Sequence, residues 1–215
     1  MENFSRPLVD WYKKEARPLP WREEPTPYRV WVSEIMLQQT RVEAVKPYYE
    51  RFLKALPDVA ALAACPEDQL MKLWEGLGYY NRVRNMQKAA VTVTEEYDGV
   101  LPADYGKLLE LKGIGSYTAG AIASIAYGIP VPAVDGNVLR VFSRLYNDSG
   151  VITEPGVKKA FTARVMEHQP PEKAGDYNQA LMELGALVCL PNGAPLCGQC
   201  PLAALCAART AGTML

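Results

Sequence analysis

The 215 residues contain one histidine, slightly fewer cations than anions (23 Lys and Arg against 24 Asp and Glu), and no long apolar run. The last absence excludes a membrane-spanning helix, which needs about 18 or more consecutive apolar residues. The N-terminal stretch Met1 to Pro7 has no basic head followed by an apolar segment, so no signal peptide is expected and a cytoplasmic protein is the simple reading. The lone histidine, His168, is too isolated to join a metal site and is expected at the surface. A net charge of −1 argues against a strongly basic nucleic-acid binder but leaves a localised one open. Cations gather at Lys13-Lys14 with Arg17, at Arg82 and Arg84 with Lys88, and at Lys158-Lys159. Solvated helix faces are the plain reading of each group. Strand-like alternation, internal repeats, low-complexity tracts and long linkers are also missing.

What remains is helical, and the length suffices for a real core in one domain or two small ones. Val42, Val45, Tyr49, Phe52 and Leu56 step by three and four; so do Val83, Met86, Ala90, Val93 and Tyr97, and again Leu181, Leu184, Leu187 and Val188. Thr40 and Glu43 read as a capping box at the head of the first of these helices. Pro47 then either kinks that helix or marks its true first turn. Pro-rich breaks at 129–132 and 170–171 read as hinges between subdomains. The fold class is all-α.

Four of the five cysteines, Cys189, Cys197, Cys200 and Cys206, fall near the C-terminus in a C-x7-C-x2-C-x5-C pattern. Without signs of secretion, a metal site is the default rather than disulfides. Zinc on four thiolates and a 4Fe–4S cluster fit this spacing equally. Cys65 reads as a small buried hydrophobe.

Gly113-Ile114-Gly115 makes a tight turn directly before a small-residue helix, Ser116 to Ala121. Outward amides plus the positive end of a helix can grip a phosphate without reading sequence. Alone, such a turn is equally a plain helix–helix connection.

Two carboxylates sit in contrasting surroundings. Asp135, after the Pro-rich break, is a candidate N-cap for the amides of Asn137 and Val138, which would keep it ionised. Glu34 has Val30, Trp31, Leu37 and Gln38 at helical neighbour positions, so if buried it should hold its proton. One protonated and one ionised carboxyl is the pairing that glycoside cleavage requires. An ordinary cap for Asp135 and a salt-bridged helix residue for Glu34 weigh about as much on these grounds.

Together these residues resemble the helix-hairpin-helix DNA glycosylases with an iron–sulfur cluster, the endonuclease III superfamily, and within it the MutY type acting on adenine. The resemblance runs from Leu19-Pro20-Trp21-Arg22 to Cys206. It is carried by Val30 to Thr40, Trp74 to Tyr80, Leu111 to Ala121 and Val134 to Val138. It implies a six-helix barrel over 27–132, with the hairpin at about 108–127, beside a cluster domain made of 1–26 and 133–215. It implies base excision repair on double-stranded DNA with adenine opposite 8-oxoguanine or guanine, by a monomer, in the cytoplasm at the nucleoid.

The family's catalytic acid matches Glu34. Asp135 matches the residue stabilising the oxocarbenium ion, and Asn137 and Tyr117 match supports of the transition state. Trp21, Arg22, Leu37 and Gln179 match positions lining the adenine pocket; Gln39 and Tyr79 match side chains wedged into the duplex. The glycines Gly113 and Gly115 would hold a DNA phosphate, and the four cysteines a 4Fe–4S cluster rather than zinc. Lyase relatives have lysine where Tyr117 stands, so strand cleavage is expected to be absent or weak.

Two departures bear on these expectations. One residue is added between the first two cysteines, and the loop 190–196 has no Lys or Arg, whereas relatives commonly touch phosphates there. Relatives also continue into a C-terminal domain recognising 8-oxoguanine; nine residues follow Cys206, so weaker discrimination or a truncated sequence is expected. The alternatives are a thymine or uracil mismatch glycosylase of the same superfamily, a non-catalytic DNA-damage binder, and a zinc-stabilised helical interaction module.

Overall fold

The computed structural model describes residues 4–214; Met1–Asn3, the head of the N-terminal stretch, and Leu215 lie outside the described residues. In chain order the helices are α1 (Ser5–Glu15), α2 (Pro20–Glu23), α3 (Pro27–Leu37), α4 (Val42–Ala55), α5 (Val59–Ala64), α6 (Glu67–Trp74) and α7 (Asn81–Glu96). There follow α8 (Tyr105–Glu110), α9 (Ser116–Ala121), α10 (Gly136–Tyr146), α11 (Pro155–His168), α12 (Ala174–Leu187) and α13 (Ala207–Ala211). Among the described residues there is no strand, and no helix is long and apolar enough to cross a membrane. The chain divides into two compact units: Pro18–Tyr127, and Met1–Arg17 with Gly128–Leu215.

In the unit Pro18–Tyr127, α3 begins where the Thr26 side chain accepts from the Arg29 amide and Pro27 takes the first turn. Val30, Trp31, Val32, Ile35 and Met36 are all buried, so this helix is apolar around most of its circumference and packs on α4 and α9. On α4 the buried residues are Val45, Tyr49 and Phe52, the face the spacing marks out, and Phe52 meets Trp74 of α6 edge-on at 6.0 Å. The long helix α7 buries Val83, Met86, Ala90 and Val93, chiefly against α5.

The capping box does not form. Helix α4 starts one residue later than that reading requires, with Arg41 at its cap and no side-chain cap bond. Thr40 instead donates to the Gln38 carbonyl at 3.3 Å, and Glu43 pairs with Lys46 at 2.8 Å. The cause lies upstream: Gln39 has φ +56°, and that left-handed residue turns Thr40 back toward Gln38. Pro47 lies inside α4, not in its first turn.

In the other unit α1 and α10 both pack on α12. Its core includes Phe4, Leu8, Val9, Val138, Phe142, Leu145, Phe161, Tyr177, Leu181 and Leu184. Burying each such side chain contributes roughly 1.5–3 kcal/mol. Arg17 ties the end of the first segment to α12. Its Nε and Nη2 donate to the two oxygens of Glu183 at 2.8 and 2.7 Å, and its amide adds a third bond at 2.9 Å. Glu183 is 1 % exposed, so this fork is what makes a carboxylate tolerable there.

His168 is not a surface residue. It is 6 % exposed, bonded to Tyr146 Oη at 2.8 Å and tilted against Phe4 at 4.4 Å between ring centroids. Its place on α11 explains this, since Phe161 and Val165 precede it at seven and three residues and share its buried face.

Candidate active site

Helix α3 carries Glu34 into the interior of its unit, where the residue is 7 % exposed. The α8–α9 hairpin brings its partner. Asp104 caps α8 by accepting from the Lys107 amide at 2.8 Å, and α9 restarts after Gly115. Between them Gly113 has φ +79°, and a Cβ there would stand 2.9 Å from the Asn85 Cβ of α7, so only glycine fits the turn. Gly115 has φ −92° and takes the cap in an extended conformation. The turn sets Tyr117 on the first turn of α9, and its hydroxyl donates to Glu34 Oε2 at 2.6 Å. Beyond Ala121 the helix widens to a π-helical turn, Ile122–Ala126, which packs on α3.

The same unit holds five more of the sequence-marked residues. Leu37, half-buried, ends α3, and Gln39 follows in the left-handed turn, exposed. Tyr79 is left-handed as well, with φ +47°, and 65 % exposed. Trp21 on α2 is buried edge-on against Tyr49 at 5.4 Å, with Arg22 half-buried beside it in sequence.

In the other unit Asp135 caps α10. Its Oδ1 accepts from the Val138 amide at 2.9 Å, and its Oδ2 from the Asn137 side-chain amide at 2.8 Å. The Asn137 carbonyl in turn accepts from Arg140 Nη2 at 2.8 Å. Arg140 also donates to the Gly185 carbonyl at 2.8 Å and to the Cys189 carbonyl at 2.9 Å. Gly185 matters by its smallness, because a Cβ there would lie 2.6 Å from the Asn137 Cβ. Gln179, on α12, directs its amide to the Gly175 carbonyl at 3.4 Å. The structure thus joins Glu34 to Tyr117 in one unit and Asp135 to Asn137 in the other.

The four C-terminal cysteines are free, half-buried thiols. Arg144 Nη1 donates to Cys189 Sγ at 3.3 Å and to the Leu190 carbonyl at 2.7 Å, and Cys206 Sγ donates to the Arg144 carbonyl at 3.4 Å. Burial pushes the Cys200 thiol up to about 11, and the neighbouring thiols of Cys189, Cys206 and Cys197 push the same way. Cys200 therefore lies within electrostatic reach of the other three. Yet among the described residues no group of three or more His, Cys, Asp or Glu is close enough to hold a metal ion. The donor set is chemically right for thiophilic iron and zinc alike.

Sequence reasoning missed three arginines. Arg17 and Arg82 read as members of solvated clusters, but each is turned inward onto protein acceptors. Arg140 had a signal: it stands three residues after Asn137, hence on the same face of the helix that Asp135 caps. Nothing local announces the partners of the other two.

A model described as HhH-GPD superfamily base excision DNA repair protein matches residues 32–167. The adenine DNA glycosylase of Buchnera aphidicola from Acyrthosiphon pisum is 38 % identical over 207 residues, covering 96 % of this chain and 59 % of that protein. The human adenine DNA glycosylase is 43 % identical over 215 residues, covering 96 % of this chain and 39 % of its own length. The chain therefore spans less than two thirds of the length of these relatives. Among solved structures, a thermostable thymine-DNA glycosylase superposes with TM-score 0.88 at 27 % identity, covering 97 % of this chain and 95 % of that one. An endonuclease III in a non-covalent DNA complex gives TM-score 0.78 at 24 % identity, covering 97 % and 95 %, and shows the shared fold. The matched span takes in Glu34, the glycine hairpin and the Asp135 cap, and on that match the chain belongs to the HhH-GPD superfamily of base excision DNA repair proteins.

Proposed function

We propose that this chain is a monofunctional DNA N-glycosylase that removes adenine mispaired with 8-oxoguanine or guanine in duplex DNA. The observation that carries the reading is the buried Glu34 carboxyl held at 2.6 Å by the Tyr117 hydroxyl. The Buchnera and human adenine DNA glycosylases, 38 and 43 % identical over nearly the whole chain, support the choice of base.

In this reading the adenine is flipped out of the duplex before chemistry. Glu34 delivers its proton to N7 of adenine. The C1′–N9 bond then breaks with its electron pair going to the base, and positive charge develops on the sugar. Asp135, kept in place by Val138 and Asn137, stabilises that charge. Water adds at C1′ and gives its proton to the Glu34 carboxylate, leaving free adenine and an abasic site. Tyr117 orients the acid, and having a hydroxyl rather than an amine it cannot form the Schiff base that strand cleavage needs.

Trp21, Arg22, Leu37 and Gln179 would line the base pocket, with Gln39 and Tyr79 against the duplex. Gly113 and Gly115 would hold a backbone phosphate. Each domain keeps its own task in this picture: the barrel of 27–132 carries the acid and the hairpin, and 1–26 with 133–215 carries the anion and the cysteines. Cys189, Cys197, Cys200 and Cys206 would hold a 4Fe–4S cluster, which when bound pins the C-terminal segment through four iron–thiolate bonds.

One observation favours a second reading, the close superposition on a thymine-DNA glycosylase. Duplexes holding adenine opposite 8-oxoguanine or guanine, or thymine opposite guanine, are incubated with the protein and then treated with alkali. Adenine release is expected; release of thymine without adenine rejects the proposal.

A further inference from the structure

Arg82, the second residue of α7, buries its guanidinium among main-chain carbonyls of two separate turns. Nη1 donates to Ile35 at 2.8 Å, Met36 at 3.3 Å and Gln38 at 2.6 Å. Nη2 donates to Leu77 at 3.1 Å and Gly78 at 3.3 Å. The first three acceptors are the closing carbonyls of α3 and its cap, the negative end of that helix, where a cation is favoured. The other two belong to the turn after α6, which carries left-handed Gly76 and Gly78. Arg82 also lies over the rings of Trp74 at 5.3 Å and Tyr79 at 5.6 Å, and the Trp74 indole donates to the same Gly78 carbonyl at 3.0 Å. A planar fork spreads its donors over two nitrogens and can serve all five carbonyls; an ammonium group, with three donors at a single point, cannot reach them all.

Each turn contains an exposed non-glycine residue in the left-handed region, Gln39 on one and Tyr79 on the other. Such residues hold that conformation only where their surroundings impose it. An exposed tyrosine gains little for the free protein from being held this way, so the strain suggests a partner that the side chain must meet. The clamp is also tied to the acid, because its first acceptor, Ile35, is the residue after Glu34 on α3.

We propose that Arg82 is a positioning residue that locks the 38–40 and 77–79 turns to the end of α3, so that Gln39 and Tyr79 press into a DNA duplex as one pre-set pair. This rests on the glycosylase reading above for the identity of the partner. The locking itself is a property of the free protein, so the two fail separately.

Arg82→Lys keeps the charge and loses the fork. Amide hydrogen exchange in the full chain is expected to accelerate about tenfold or more at both 38–40 and 77–80 and less in the 105–127 hairpin, with a melting temperature lower by a few degrees. Adenine release under single-turnover conditions is expected to fall about tenfold, together with the fluorescence rise of 2-aminopurine placed opposite guanine in the bound duplex. Unchanged exchange, acceleration in one turn alone, or acceleration spread evenly over the chain overturns the clamp. Should the variant fail to fold, wild-type exchange across a denaturant series decides: the two turns must open with one common dependence, and independent opening overturns the proposal. A wild type that releases no adenine sinks the glycosylase reading, and the exchange result still judges Arg82.

Discussion

The Glu34 carboxyl is reached by a hydroxyl from a helix 83 residues away, and most of the proposed chemistry depends on that meeting. Replacing Glu34 by Gln removes the acid while preserving shape. Base release should fall at least about a hundredfold with DNA binding retained, as gel-shift and single-turnover assays would report. Tyr117→Phe removes the hydroxyl alone; a drop of roughly tenfold in rate is expected, with little change in affinity. At this scale local signals were readable in the sequence. The apolar neighbours of Glu34 pointed to burial, and the break before Asp135 pointed to a cap, which Val138 satisfies. The Asn137 bond was misjudged in kind, since its side chain and not its main-chain amide reaches Asp135. Partners far apart in sequence left no trace, because no periodicity encodes a contact between Tyr117 and Glu34.

Between elements, distance is set by the smallest side chain at the crossing. Helices α10 and α12 approach so closely at Gly185 that any Cβ there meets Asn137, the residue that steadies Asp135. Gly185→Ala should therefore cost about 1–3 kcal/mol of stability by overpacking. Its effect on base release should exceed that of an equally destabilising substitution in α11, and denaturant melts paired with rate measurements would separate the two. The helices themselves were legible: the apolar steps of α4 and α7 are the faces they bury. Their starts were less so. The Thr40 to Glu43 spacing satisfied the capping rule, but the left-handed turn at Gln39 had already diverted Thr40, and a rule reading four residues does not see the conformation imposed on the one before.

For the molecule as a whole, sensitivity to mild acid has a source in the buried His168. Burial lowers the pKa of His168 below its ordinary 6.5, with a smaller opposing pull from Glu167. The unfolded chain takes up the proton first, so the contribution to stability is full above pH 6.5 and declines as the pH falls below it. Melting temperature should drop between pH 7 and about 5.5, and His168→Gln should flatten that drop in addition to its own cost at neutral pH. Composition gave no hint of this, since a single histidine carries no pattern. Only its spacing from Phe161 and Val165 could have signalled the interior.

The chain's first helix belongs with its last ones: α1 rests on α12, and Arg17 reaches Glu183 across 166 residues. A ribosome delivers Leu8, Val9 and Tyr12 long before anything exists to cover them, whereas Pro18–Tyr127 is complete much earlier. During synthesis the middle of this protein can mature while its opening segment waits, greasy side chains bare, for a partner still unmade. That interval is when a chaperone would find something to hold.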